Sequence, residues 1–202
     1  MRTTTSEPEP ETLTRYWTRA EYYAMIDLGF FEGQHVELLD GEIVMTAGQK
    51  YSHTSSTSKV ARVVRDAFGK GYWTRVQFPL QLANNSEPEP DVSVVLGTED
   101  DYDDHPSSAF LVVEVSGTTL KTDRTRKAAI YARAGFEDYW IVNLFSRCVE
   151  VHRKPKKDAA GNFFYKSIVL IDEAGFVSPL AKPGAKIAVA DLLPLQKPLV
   201  TK

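Results

Sequence analysis

The amino-acid sequence predicts an α/β (α+β) fold, a mixed β-sheet flanked by helices with an N-terminal helix and hairpin and extra C-terminal strands. Three observations carry this expectation. Helix-type and strand-type patterns follow the order helix, hairpin, helix, several strands, helix, strands. Residues 109–115, AFLVVEV, are nearly all apolar, as a strand covered on both faces should be. A chain of 202 residues is also long enough to bury the core of one ordinary domain.

The elements follow in order. Residues 1–14 are polar and proline-bearing and read as a flexible tail; 15–195 read as one domain and 196–202 as a second tail. Thr18-Arg19-Ala20-Glu21 matches a capping box, with Tyr22, Met25 and Ile26 following at helical spacing. HVELLDGEIVM, residues 35–45, places two apolar-rich runs around Asp40-Gly41, a pair that tolerates the positive φ angles of a type I′ hairpin turn. A helix over 52–68 is stopped by Gly69 and Gly71, and strands are expected at 72–82, 91–96 and 109–116. The next helix spans Asp123 to Ala134 and stops at Gly135, with a strand at 138–144. Residues 148–153 and 162–170 suggest a hairpin around the basic turn His152 to Lys157, and one more short strand fits the proline-punctuated C-terminal segment.

Composition excludes several classes of function. A net charge of -3 lacks the basic surplus of proteins that coat nucleic acid, so a polyanion would need a local basic patch. The sequence has no P-loop, dinucleotide glycine fingerprint, nucleophile elbow or His-Glu-x-x-His helix. Its single cysteine, Cys148, leaves no internal disulfide and no cysteine-based zinc site. No apolar run reaches the roughly 20 residues of a bilayer span, and the N-terminus lacks a signal-peptide core. A cytoplasmic protein with no membrane partner is the expectation.

Three residues break the apolar pattern. Glu114 lies inside FLVVEVS, where alternation sets it on one strand face with Phe110, Val112 and Ser116. A carboxylate there is paired, protonated or metal-bound, or else the strand emerges into solvent near Gly117; the residue alone leaves both readings open. Asp91 follows the second of two SEPEP pentapeptides (6–10 and 86–90), and Pro90 suits the first position of a strand. Taken singly, Asp91 is an ordinary turn-to-strand aspartate. If the strands at 91–96 and 109–116 are neighbours, however, Asp91 meets Glu114, and two converging carboxylates suit a hard cation such as Mg²⁺, with Mn²⁺ as a substitute. Lys127 shares a helix face with Ile130, Tyr131 and Ala134, the face expected to meet the sheet, so it either snorkels outward or serves a buried anionic site.

The segments EPD (89–91), EVS (114–116), Asp123, Lys127 and YARAGFEDYWIVN (131–143), with HVELLDGEIV (35–44) and His53, resemble the Uma-type family, described as putative restriction endonucleases, a branch of the PD-(D/E)XK nuclease superfamily. The likeness spans roughly residues 18–190. It implies a restriction-endonuclease-like mixed sheet with Asp91 and Glu114 as metal ligands. The superfamily's usual lysine, two residues after the second acid, is replaced here by Ser116, and the resemblance moves that role to Lys127. Lys121 is the reserve candidate.

The resemblance adds Glu37 as a further carboxylate, although hairpin parity puts Glu37 on the face opposite Val36, Leu38, Ile43 and Met45. It also adds Asp123, and His53 as either a site histidine or a polar residue of a helix start. Lys121, Arg124 and Arg126 are candidate phosphate contacts, with a solvated surface as the plainer reading, and the acidic run 99–104 reads as a mobile loop. The implied activity is Mg²⁺-dependent hydrolysis of DNA phosphodiester bonds by Asp91, Glu114 and Lys127, with a homodimer suited to cutting two strands. The alternative is a nuclease-fold protein that binds nucleic acid or a protein partner without cutting.

Overall fold

The computed structural model describes residues 14–46 and 48–195; nearly all of the first expected tail, the first SEPEP and the second tail lie outside them. Helix α1 (Arg19–Asp27) begins at Thr18, and the capping box forms as its sequence requires. The Thr18 hydroxyl accepts from the Glu21 amide while Glu21 Oε2 accepts from the Thr18 amide at 3.0 Å. Strands β1 (Val36–Leu39) and β2 (Glu42–Met45) pair antiparallel as a separate hairpin. Asp40 and Gly41 have φ of 47° and 80°, the two positive angles of a type I′ turn. A Cβ on Gly41 would lie 2.6 Å from Tyr16 Cβ, so the approaching chain as well as the turn demands glycine.

The main sheet has six strands in the order β3 (Tyr72–Val76), β4 (Val92–Leu96), β5 (Leu111–Ser116), β6 (Asp138–Asn143), β7 (Cys148–Lys157) and β8 (Phe163–Asp172). Only β5 and β6 run parallel. Their crossover carries helix α3, made of Leu120–Thr122, Asp123–Lys127 and Ala128–Arg133 in unbroken succession, the middle segment being a π turn. Helix α2 (Tyr51–Phe68) and a C-terminal unit cover one sheet face. That unit consists of β9 (Phe176–Val177) paired with β10 (Ile187–Ala188), followed by a short 3₁₀ turn. Helix α3, Leu39 of the hairpin and Leu80 cover the other face. Buried on both sides, β5 is apolar from Leu111 to Val113 and at Val115, the pattern that predicted the fold.

The structure departs from expectation at several boundaries. The strand expected over 72–82 ends at Val76, because Gln77 takes a positive φ of 52° and 77–90 then run irregularly toward Asp91. Helix α3 starts at Leu120, before Asp123. The basic run His152 to Lys157 is strand, not turn: β7 continues through it paired with β8, and the reversal falls between Lys157 and Phe163. Pro155 is tolerated because the β6 pairing ends at Arg153, leaving one side of β7 free of ladder bonds. The acidic run is also ordered, with Thr98 capping a 3₁₀ turn at Glu99–Asp101 and Arg19 holding Asp104. No helix among the described residues is long and apolar enough to cross a membrane.

Asp138 fastens the end of β6 remote from the site. Its buried carboxylate accepts from Trp140 Nε1 (2.8 Å), Arg153 Nε (2.8 Å) and the Leu180 amide (2.7 Å). Asp138→Ala takes the acceptor from the buried Trp140 Nε1, from the half-buried Arg153, which keeps the Ser178 carbonyl, and from the Leu180 amide, and is expected to cost about 2–3 kcal/mol in urea unfolding. A loss below about 1 kcal/mol would show that water or repacking satisfies those donors.

Candidate active site

The register of β4 and β5 brings the two acids together. Val92 faces Val113, so one step further along the antiparallel ladder Asp91 stands opposite Glu114, and opposite residues share a face. That face is the one under α3. The ladder ends there, and Asp91 Oδ2 takes the Val115 amide at 2.8 Å. His53, at the start of α2, reaches over the sheet end and places Nε2 3.2 Å from the same oxygen. Asp91 Oδ1 has only a long contact, 3.4 Å, from Gln77 Nε2.

Glu114 is treated in the same way. Its Oε1 accepts from Tyr131 Oη at 2.7 Å and from Lys127 Nζ at 3.1 Å, while no hydrogen bond to Oε2 is present among the described residues. Each carboxylate thus has one oxygen pinned by short contacts, while the second takes only the long Gln77 contact in Asp91 and no hydrogen bond in Glu114. Lys127 also pairs with Glu37 Oε2 at 3.0 Å, and that oxygen takes the Glu89 amide at 3.0 Å. Glu37 is buried and faces the site beside Leu39 and Val44, because the hairpin packs that face against α3 while Met45 on the other stays exposed. The parity argument assumed the opposite face was the buried one.

Asp123 lies one turn earlier on α3, where its Oδ2 accepts from Ser116 Oγ (2.6 Å) and Thr119 Oγ1 (2.7 Å). Ser116, standing where the superfamily lysine would be, therefore ties β5 to the helix that carries Lys127. Of the basic candidates, Arg124 forms a two-pronged pair with Glu150 at 2.7 and 2.8 Å, and Arg126 binds Glu42 and the Leu39 carbonyl. Lys121 makes no ion pair among the described residues and lines a groove of about 490 Å³ with Gly117, Thr118 and Phe145.

Burial dominates the electrostatics. Asp91, Glu114 and Lys127 are only 7%, 3% and 7% exposed. Desolvation pushes Glu114 well above the usual carboxylate range, with Lys127 offsetting part of it and Asp123, Asp91 and Glu37 adding to it. Burial alone would lower Lys127, but the attraction of Glu114, Glu37 and Asp123 outweighs it and raises the ammonium above its ordinary value. Burial thus sets the direction for Glu114, and the surrounding acids set it for Lys127. Burial would likewise lower His53, and its hydrogen bond to Asp91 with the accompanying attraction raises it instead.

Two residues that take part were not singled out in the sequence for that role. Tyr131 is counted there as part of an apolar stripe, and Glu89, half-buried against His35 at 3.1 Å, as part of a proline-rich approach. Among the described residues no three His, Cys, Asp or Glu side chains are grouped to hold a metal ion. Glu114 Oε2 and the loosely held Asp91 Oδ1 still suit a hard cation, since Mg²⁺ is commonly held by one or two carboxylates with water and phosphate completing its shell.

Residues 19–187 match the model of the Uma2 family, described as "Putative restriction endonuclease". The chain belongs to this family. A solved structure of similar fold is that of a putative nuclease belonging to DUF820 from Anabaena variabilis ATCC 29413. It has a TM-score of 0.61 over 78% of this chain and 88% of that one, at 13% identity. No curated protein matches the chain. Family and fold make the protein restriction-endonuclease-like.

The electrostatics give two expected outcomes. Glu114 has a folded-state pKa above its unfolded value near 4.5, so its ionised form costs stability, a cost absent at low pH and growing as pH rises. The thermal midpoint of Glu114→Gln should therefore exceed wild type by more at mildly alkaline than at mildly acidic pH; a constant gap would show that Glu114 is not the titrating group. For His53, an NMR titration should place the pKa above 6.5 in wild type and below it in Asp91→Asn, where burial acts without its anionic partner. No change on that substitution would separate His53 from Asp91.

Proposed function

We propose that the protein is a Mg²⁺-dependent endonuclease hydrolysing phosphodiester bonds of DNA, with Asp91 and Glu114 as metal ligands and Lys127 as the third catalytic group. The observation that carries this reading is the meeting of the three side chains at the end of β4 and β5, with one oxygen of each acid clamped and the other held only by a long contact in Asp91 and by none in Glu114. Membership of the restriction-endonuclease-like family supports it.

Asp91 and Glu114 would hold Mg²⁺, or Mn²⁺ in its place, and the ion would supply Lewis-acid stabilisation of the phosphate and a more acidic water. The protein's own groups divide the remaining work. Tyr131 and Lys127 fix Glu114 through Oε1, and the Val115 amide and His53 fix Asp91 through Oδ2, so the other oxygens are aimed without reorganisation. Lys127, held protonated by its acids, is a poor general base; its ammonium orients a water or stabilises charge developing on the phosphoryl oxygens. Glu37 holds the lysine, and Asp123 holds the turn before it. Of the three basic candidates, Lys121 has no ion pair among the described residues and can meet a neighbouring phosphate, whereas Arg124 and Arg126 would first have to leave Glu150 and Glu42.

A second reading, a nuclease-fold protein that binds nucleic acid or a protein partner without cutting, is favoured by the near-complete burial of the same three side chains. The test is incubation of DNA and RNA with Mg²⁺ or Mn²⁺, comparing wild type, Asp91→Asn, Glu114→Gln and Lys127→Ala, each shown folded by circular dichroism. Wild type should cut DNA, and each variant should lose about 100-fold or more. Equal cutting by wild type and Lys127→Ala would remove the lysine from the mechanism. Metal binding without cutting by wild type would favour the second reading, and metal binding that survives both acid substitutions would remove the site.

A further inference from the structure

Strand β8 forms one edge of the main sheet, so its outer side has no strand partner. Three consecutive residues on it, Ile168, Val169 and Leu170, are 51%, 52% and 62% exposed. Successive side chains point to opposite faces, so both faces are uncovered along this stretch. A long apolar edge is a template for another strand unless charge, proline or a bulge protects it. The only charges nearby on this part of β8 are Lys166 and Asp172, both exposed and neither in an ion pair among the described residues.

The strand is complementary to itself. In an antiparallel pair of identical strands related by a two-fold axis perpendicular to the sheet, opposite residues lie on the same face and at equal distances from the axis. Centring the axis on Val169 sets Ile168 of one copy against Leu170 of the other, and Lys166 against Asp172, twice over. Other centres spoil the match: on Ile168, Lys166 faces Leu170; on Leu170, Ile168 faces Asp172; on Ser167, Lys166 faces Ile168. We infer that the protein forms a two-fold dimer by antiparallel pairing of β8 about Val169, joining the two main sheets into one continuous sheet. Cross-strand apolar pairs flanked by opposite charges are the pairing that stabilises adjacent strands, and the charges select this register over its neighbours.

The inference is independent of the chemistry at Asp91 and Glu114, since a protein unable to cut would still dimerise. The test is sedimentation equilibrium of the full chain at micromolar concentration, with folding followed by circular dichroism. Wild type should show twice the chain mass. Val169→Lys, which sets two ammonium groups at the axis, should show the single mass. Lys166→Asp and Asp172→Lys should each raise the dissociation constant about tenfold or more, and the double exchange Lys166→Asp/Asp172→Lys should restore it. The exchange series decides the matter if Val169→Lys does not fold. A wild type of single mass, a dimer indifferent to these changes, or a double exchange that fails to restore dimerisation would overturn the inference; the last two outcomes would point to another surface or another strand as occupant.

Discussion

The ammonium group of Lys127 is the contact on which the rest of the site depends. Glu37 arrives from the hairpin, Glu114 from β5 and the lysine from α3, so one cation joins three separately folded pieces. Without it, two buried carboxylates would face Asp91 and Asp123 with no compensating charge, a condition that costs several kcal/mol unless they take up protons. The hairpin is not part of the main sheet, and this ion pair, with the Leu38–Glu87 bridge and Leu39 packing, sets its place.

The two faces of the sheet differ in kind. Against α2 the central strands present valine, leucine and tryptophan and pack dry. Against α3 they present Val112 and Ile141 in the middle but Glu114, Ser116, Asn143 and Glu150 toward one end, all buried and hydrogen-bonded. The first face supplies the stability that lets the second bury charge, an arrangement expected where function and folding compete.

Alternation exposed Asp91 and Glu114 in the sequence, because a carboxylate inside a two-sided strand violates a period of two, and helical spacing exposed Lys127 for the same kind of reason. Glu37 came only from the resemblance and against its parity, because parity assumes one buried hairpin face, whereas Leu38 and Leu39 are both sealed and the hairpin is covered on each side. Tyr131 escaped because a tyrosine on an apolar stripe is indistinguishable from core until its hydroxyl finds an acceptor. The basic run at 152–157 looked like a turn because lysines and a proline usually mark one. Where a strand outlasts one of its neighbours, that punctuation loses its meaning.

The π turn at Asp123–Lys127 has a consequence for how such a site arises. A π turn amounts to one residue more than a regular helix would use over the same path, as the Ala128 amide bonding to the Asp123 carbonyl shows. Removing that residue would return the helix to its ordinary repeat and swing everything beyond it by about 100°. Lys127 and Tyr131 would then turn away from Glu114 while Asp123 stayed clamped to Ser116 and Thr119. A single-codon insertion is thus sufficient to turn a helix's lysine and tyrosine onto a carboxylate of the strand beneath it.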